Sequence, residues 1–148
     1  MSGIIYSVST GALGLSAAAP TTAIQIAAPA TNRAKVHGFS VAFNGVSATA
    51  EPIAVKLVRQ STAGTMTAAS KRILNGVNDA PQATATINSS VNPSASEIVF
   101  ETLVHPQGGL HMMFPPELMP VIQASGRFGL ELTAPATVTA RCTMFVEE

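Results

Sequence analysis

Apolar residues recur at every second position along most of this chain, and a period of two predicts β-strands almost throughout. Between Thr22 and Ala27, Ile24 and Ile26 alternate with Ala23 and Gln25. From Lys35 to Asn44, simple alternation puts Phe39, Val41 and Phe43 on one face with Lys35 and His37, and Val36, Gly38, Ser40 and Ala42 on the other. Ile53, Val55 and Leu57 then alternate with Ala54, Lys56 and Val58 as far as Gln60. Asn44-Gly45 is a turn signal because both residue types accept positive φ, so these two runs are expected to form a long hairpin.

The densest patterning runs from Ile98 to Val146. Ile98, Phe100, Thr102 and Val104 fall on one face, with Val99, Glu101, Leu103 and His105 on the other. Leu110, Met112 and Phe114 likewise oppose His111 and Met113. Both runs carry apolar groups on two faces, and such a strand needs cover on both sides. The second face, made of Val99, Leu103, His105, His111 and Met113, is expected to be buried between subunits. Leu118 to Gln123 reads as a short strand that Pro120 confines to an edge or bulge. Arg127 to Thr133 alternates through Phe128, Leu130 and Leu132, and a final strand alternates as far as Val146.

Other segments are less regular. Ile4 to Val8 predicts a first strand or an extended arm. Ala12 to Ala19 is rich in alanine, but the flanking glycines and Pro20 leave too little length for a stable helix. Ser61 to Ser96 is far longer than an ordinary connection, with a short helical turn expected at Ala68 to Leu74 and a short edge strand at Ala83 to Ile87. Eight or nine strands and no long helix predict an all-β, antiparallel sandwich. A jelly roll is the favoured topology, with other Greek keys open because strand order is not written in the pattern. Residues 1–20 form an N-terminal arm or first edge strand, and residues 21–148 one β-sandwich domain with a long excursion at 61–96.

Composition changes this picture in one respect. Charged residues make up 11% of the 148 residues, against an ordinary share of about 25%. A surface built so largely from Ser, Thr, Ala and Gly weighs toward a subunit that neighbours partly cover. Eight basic residues balance eight acidic ones, with no basic cluster beyond Lys71-Arg72, so no phosphate-neutralising patch and no nucleic-acid partner is expected. The first 32 residues carry no charge, yet Gly3, Gly11, Gly14, Pro20 and Pro29 interrupt them. They predict neither a secretory signal nor a span of about 18 apolar residues, and no membrane partner.

The chemistry-bearing residues are few. His37, His105 and His111 are the candidates for metal binding or proton transfer, and the last two would approach each other if the Pro106 to Gly109 segment closed a hairpin. Zinc wants three or four ligands, and neither a Cys-His cluster nor a His-Glu-x-x-His run occurs, so no metal and no cofactor is expected. Cys142 lies in an alternating run where a small buried thiol is the ordinary outcome. There is no Gly-x-Ser-x-Gly elbow, and the carboxylates are dispersed, so neither an enzyme nor a small-molecule substrate is expected. Glu147 and Glu148 read as a solvated tail.

Three stretches resemble a known group of proteins. They are Ile5 to Gly11, the pair Val36 to Phe43 and Pro52 to Gln60 followed by Ser-Thr-Ala-Gly-Thr, and the closing Pro-Gln-Gly-Gly, Phe-Pro-Pro and Ala-Ser-Gly-Arg-Phe-Gly-Leu-Glu-Leu-Thr-Ala-Pro. Together they are similar to small virion proteins of tailed bacteriophages, and most of all to head decoration, or cement, proteins. The resemblance carries no functional residue over by position. It implies a β-sandwich or jelly-roll homotrimer on the outer surface of the capsid, at three-fold and quasi-three-fold positions where it clamps neighbouring major capsid proteins. The alternative it leaves open is a tail, baseplate or head-fibre module whose 61–96 excursion contacts a host surface ligand.

Overall fold

The computed structural model describes residues 3–44, 51–76 and 78–148. Thirteen strands are present among them: β1 (Ile5–Ser9), β2 (Leu13–Leu15), β3 (Thr21–Ala27), β4 (Ala34–Phe43), β5 (Ile53–Gln60), β6 (Thr65–Ala68), β7 (Arg72–Ile73), β8 (Thr84–Val91), β9 (Ala95–Val104), β10 (Leu110–Met113), β11 (Val121–Ile122), β12 (Arg127–Thr133) and β13 (Val138–Glu147). A single 3-10 turn spans Pro116–Leu118. The strands make an antiparallel, two-sheet sandwich, with sheet orders β10-β4-β13-β1-β7 and β6-β8-β3-β12-β5-β9. Two short strands lie off the first path, β11 against β4 and β2 against β13.

The principal pairs are nested. β1 pairs with β13, β3 with β12, β4 with β10 and β5 with β9. Successive pairs alternate between the two sheets. The hairpin expected of β4 and β5 is therefore absent. β4 has its edges occupied by β13 and by β10 with β11, β5 lies between β12 and β9, and the connection between them crosses from one sheet to the other. Alternation reports which side chains face the core, whereas pairing partners are chosen at long range. Most of the connection, including Gly45 of the expected Asn44-Gly45 turn, lies outside the described residues.

The 61–96 excursion joins both sheets at the side opposite β9 and β10. β8 is longer than expected and is not an edge, since it sits between β3 and β6. No helical turn forms at Ala68 to Leu74, because Arg72 and Ile73 pair with Ser7 and Tyr6 instead. Pairing against strands already in place gives these Thr- and Ala-rich segments a conformation that their local preferences do not dictate. The N-terminal strand is likewise part of the sheet, with Tyr6 and Val8 fully buried.

Register shifts interrupt β3, β4, β9 and the β6–β8 pair, and those in β4 and β9 redirect side chains on the β9 and β10 side. In β4, Gly38 opposes Phe145 and Val36 opposes Val146, leaving His37 as the extra residue. The phase slips there, and Val36 joins Phe39 and Val41 in the core rather than sharing the outer face with Gly38. In β9, Phe100 opposes Leu57 while Ile98 opposes Val58, so Val99 is extra and a second bulge follows at Ser96. Ile98 is thereby turned to the outer face with Glu101 and Leu103, instead of sharing the core face of Phe100.

The core between the sheets holds Tyr6, Phe39, Leu57, Phe128, Leu130 and Met144, all without solvent contact. Burying each such side chain contributes about 1.5–3 kcal/mol. Cys142 is buried as expected, and burial pushes its thiol up to about 12. Leu130→Ala, in the central strand β12, is predicted to cost about 2–5 kcal/mol, read as a lower denaturant midpoint with an unchanged slope.

Candidate interaction site

Among the described residues β9 pairs only with β5, and β10 only with β4, so each is an edge strand. They belong to different sheets, so the hairpin that would have brought His105 to His111 does not form. Instead the His105 carbonyl accepts the Gly108 and Gly109 N–H groups at 3.0 and 3.2 Å, closing a turn that carries the chain between sheets. Gly109 completes it at φ +64°, with no room for a Cβ beside the Val41 carbonyl. Gln107 N–H donates to His105 Nδ1 at 3.2 Å.

Both edges border the same side of the sandwich, where three phenylalanines span the sheets. Phe39 and Phe100 have ring centroids 6.0 Å apart, Phe100 and Phe114 6.3 Å, and Phe39 and Phe114 6.4 Å. Phe39 is buried, while Phe100, Phe114, Leu110 and Met112 are half-buried. The core therefore reaches the surface along this side.

All five residues singled out from the sequence line this side, but they do not form one face. Val99 is the bulged residue of β9, and Leu103, 68% exposed, points outward from the six-stranded sheet. His105 is exposed at the start of the turn. His111 and Met113 lie on the outer face of the seven-stranded sheet, with the His111 ring set edge-on to Phe145 at 6.3 Å. A substituent at Gly38 would collide with Met113, so the missing Cβ gives that side chain its place. Assigning β9 and β10 to different sheets is what divides the expected face. Two exposed apolar residues escape the alternation pattern: Ile98, turned out by the bulge, and Leu118, on the 3-10 turn.

The exposed edge of β9 is guarded by charge. Arg59 Nε lies 3.1 Å from Glu97 Oε2, its Nη1 donates to the Val121 carbonyl at 2.8 Å, and its guanidinium sits over Phe128. Glu101 stands opposite Lys56. Glu97 and Glu101 put acidic side chains on the two faces of this edge, and charge on an edge strand discourages pairing with another chain. With its two bulges, this edge resists open-ended strand addition while leaving its apolar side chains exposed.

At the far end of β13 the two terminal glutamates are not a solvated tail. Glu147 Oε2 lies 2.8 Å from His37 Nε2, and Oε1 accepts the Gly3 N–H at 3.2 Å. The Glu148 carboxylate accepts the N–H groups of Gln82 and Ala83, both at 2.9 Å, while its backbone exchanges two hydrogen bonds with Ile4. Lys71 Nζ holds the same segment from its other side through the Pro81 and Ala83 carbonyls. These bonds tie the last strand to the first, to the β4 bulge and to the excursion. Nearby, the Tyr6 hydroxyl is buried without a partner among the described residues, and burial, reinforced by the Glu148 charge, pushes its pKa well above the usual phenol value.

The hydrogen bond from His37 holds the Glu147 carboxyl below its ordinary value; partial burial opposes this, while the Gly3 N–H and the charges of His37 and Lys35 reinforce it. A carboxylate depressed on folding contributes stability that is complete above its unfolded pKa of about 4.3 and lost as pH falls through the folded value. Glu147→Gln is therefore predicted to lower the denaturant midpoint at pH 7. The gap from the parent should close as the pH falls through the depressed folded value.

Among the described residues no three His, Cys, Asp or Glu side chains are grouped to hold a metal ion. Among the same residues no helix is long and apolar enough to cross a membrane. Comparison with protein-family models, with curated proteins and with solved structures finds no match to this chain.

Proposed function

We propose that this chain is a structural subunit of a tailed-bacteriophage virion, a homotrimer that sits on the outside of the capsid and stabilises contacts between major capsid proteins. The observation that carries the reading is the β9 and β10 side, where Ile98, Val99, Leu103, Met113 and Leu118 are exposed around half-buried Phe100 and Phe114. Apolar surface grouped in this way marks a place where protein meets protein. The low charge of the whole chain and the resemblance of three of its stretches to decoration proteins support the same reading.

The division of the exposed residues between two sheets suits a ring. In a cyclic trimer each subunit meets its neighbours through two different patches, and the outer surfaces of β9 and β10 diverge from one side of the sandwich. Cementing is then multivalent: three linked copies, each making modest contacts with the shell, hold far more tightly than one. In this role the protein works by binding alone and calls for no cofactor, nucleic acid or small-molecule substrate.

Light scattering should report a trimer, and the purified protein should decorate expanded heads that lack it. Leu103→Lys and Met113→Lys, made separately, are expected to leave stability within about 0.5 kcal/mol, as surface changes do, while weakening the trimer or its attachment. A stable monomer that ignores heads would overturn the reading. If neither substitution alters assembly or attachment, the contact does not use this side.

A further inference from the structure

A cleft of about 270 Å³ opens on the outer face of the six-stranded sheet, under the turn that follows β5. Its floor follows from strand register. Arg127, Ala27 and Thr84 lie in one row across β12, β3 and β8, and Gly129, Gln25 and Thr86 in the next. Ala27 is small, so the space between Arg127 and Thr84 stays open. Gly64, in the left-handed conformation at φ +63°, brings the backbone over as a wall.

The floor is held by a chain of hydrogen bonds, buried at Gln25 and Gln60 and part-buried toward its ends. Gln25 Nε2 donates to Gln60 Oε1 at 2.7 Å and to the Thr62 carbonyl at 3.0 Å. Gln60 Nε2 donates to Thr22 Oγ1 at 2.9 Å, and the Thr22 hydroxyl donates to Asn92 Oδ1 at 2.7 Å. Asn92 Nδ2 ends the chain on Glu131 Oε2 at 3.0 Å. Gly129 permits it, since a Cβ there would collide with the Gln60 amide. With both amide hydrogens of Gln25 engaged, its remaining capacity is that of an acceptor.

Arg127 is the cation of this cleft. Among the described residues it takes part in neither ion pair, and its row neighbours Gln60 and Ala27 are neutral. Glu131, on the same face of β12, stands about 13 Å further along the strand and is engaged by Asn92 opposite Lys56. The cleft thus offers a guanidinium fork suited to a carboxylate, the Thr84 hydroxyl across from it, an amide acceptor from Gln25, and apolar contact from Ala27 and Met66. It is smaller than the roughly 300–1,000 Å³ of sites for drug-sized ligands. We infer that it binds one uronic-acid unit of an acidic polysaccharide, the carboxylate on Arg127 and the ring hydroxyls on Thr84 and Gln25. The site lies apart from the β9 and β10 side and does not depend on its role.

The test is a titration of the whole isotope-labelled protein with sodium glucuronate, glucose and sodium acetate, followed by amide chemical shifts. Glucuronate should give saturable shifts centred on Gln25, Thr84 and Thr86 at millimolar concentration, with acetate and glucose each at least about tenfold weaker. Arg127→Gln should weaken glucuronate by about tenfold or more, the effect of losing a charge-assisted hydrogen bond. Thr84→Val should weaken glucuronate while leaving acetate unchanged. No saturation below about 50 mM, which would place any affinity outside the useful range, overturns the inference. So does equal binding of acetate and glucuronate, or glucuronate binding that survives in a folded Arg127→Gln protein.

Discussion

The pairing of β13 with the strands on either side of it is the constraint on which the rest of the structure depends. β13 lies between β4 and β1 and also carries β2, so the seven-stranded sheet has no continuity without it. Its alternate side chains Ala140, Cys142, Met144 and Val146 are buried in the core. Its end supplies Glu147 and Glu148, which fasten the first strand and the excursion. The His37 bulge belongs to the same interaction, because the extra residue of β4 places an imidazole beside the Glu147 carboxylate.

Much of the architecture could be read from alternation. The strands at Thr21–Ala27, Ile53–Gln60, Arg127–Thr133 and Val138–Glu147 are legible because Ile24, Leu57, Leu130 and Met144 repeat at the period of a half-buried strand. The excursion was legible only where a strand was expected at Ala83 to Ile87; threonine and alanine elsewhere in it become strand only by pairing with β8 and β1. Nor were the bulges legible: nothing in the residues 96–99 announces that Ser96 and Val99 go unopposed, yet each moves the side chains beyond it to the other face. The residues of the candidate side were legible as a set, and their partition between two sheets was not, because it depends on which long-range partners β9 and β10 find. Glu147 and Glu148 were misjudged for the same reason. A charged terminal pair looks solvated until the strands that surround it are known.

The molecule treats its two exposed regions differently. Along β9 and β10 it leaves apolar side chains outside while protecting the backbone edge with bulges and with Glu97 and Glu101. Across the outer face of the six-stranded sheet it does the reverse, covering Gln25, Gln60 and Thr22 so fully that polar side chains take the place of a second hydrophobic layer. Such a network is stable only when its members are satisfied together, which joins the segments around Thr62 and Asn92 to the sheet as firmly as an apolar contact would.

The nested order of pairing has a consequence for how the molecule comes into being. β1 is synthesised first, but its partner on one side, β13, is made last, and the partner of β3 arrives just before it. A ribosome-bound chain therefore holds half-built sheets with open edges until nearly all of the domain has emerged, and closing such long loops is slow. Bulges and glutamates on an edge strand, which in the finished protein deter unwanted addition, would meanwhile lessen the chance that neighbouring nascent chains pair with each other.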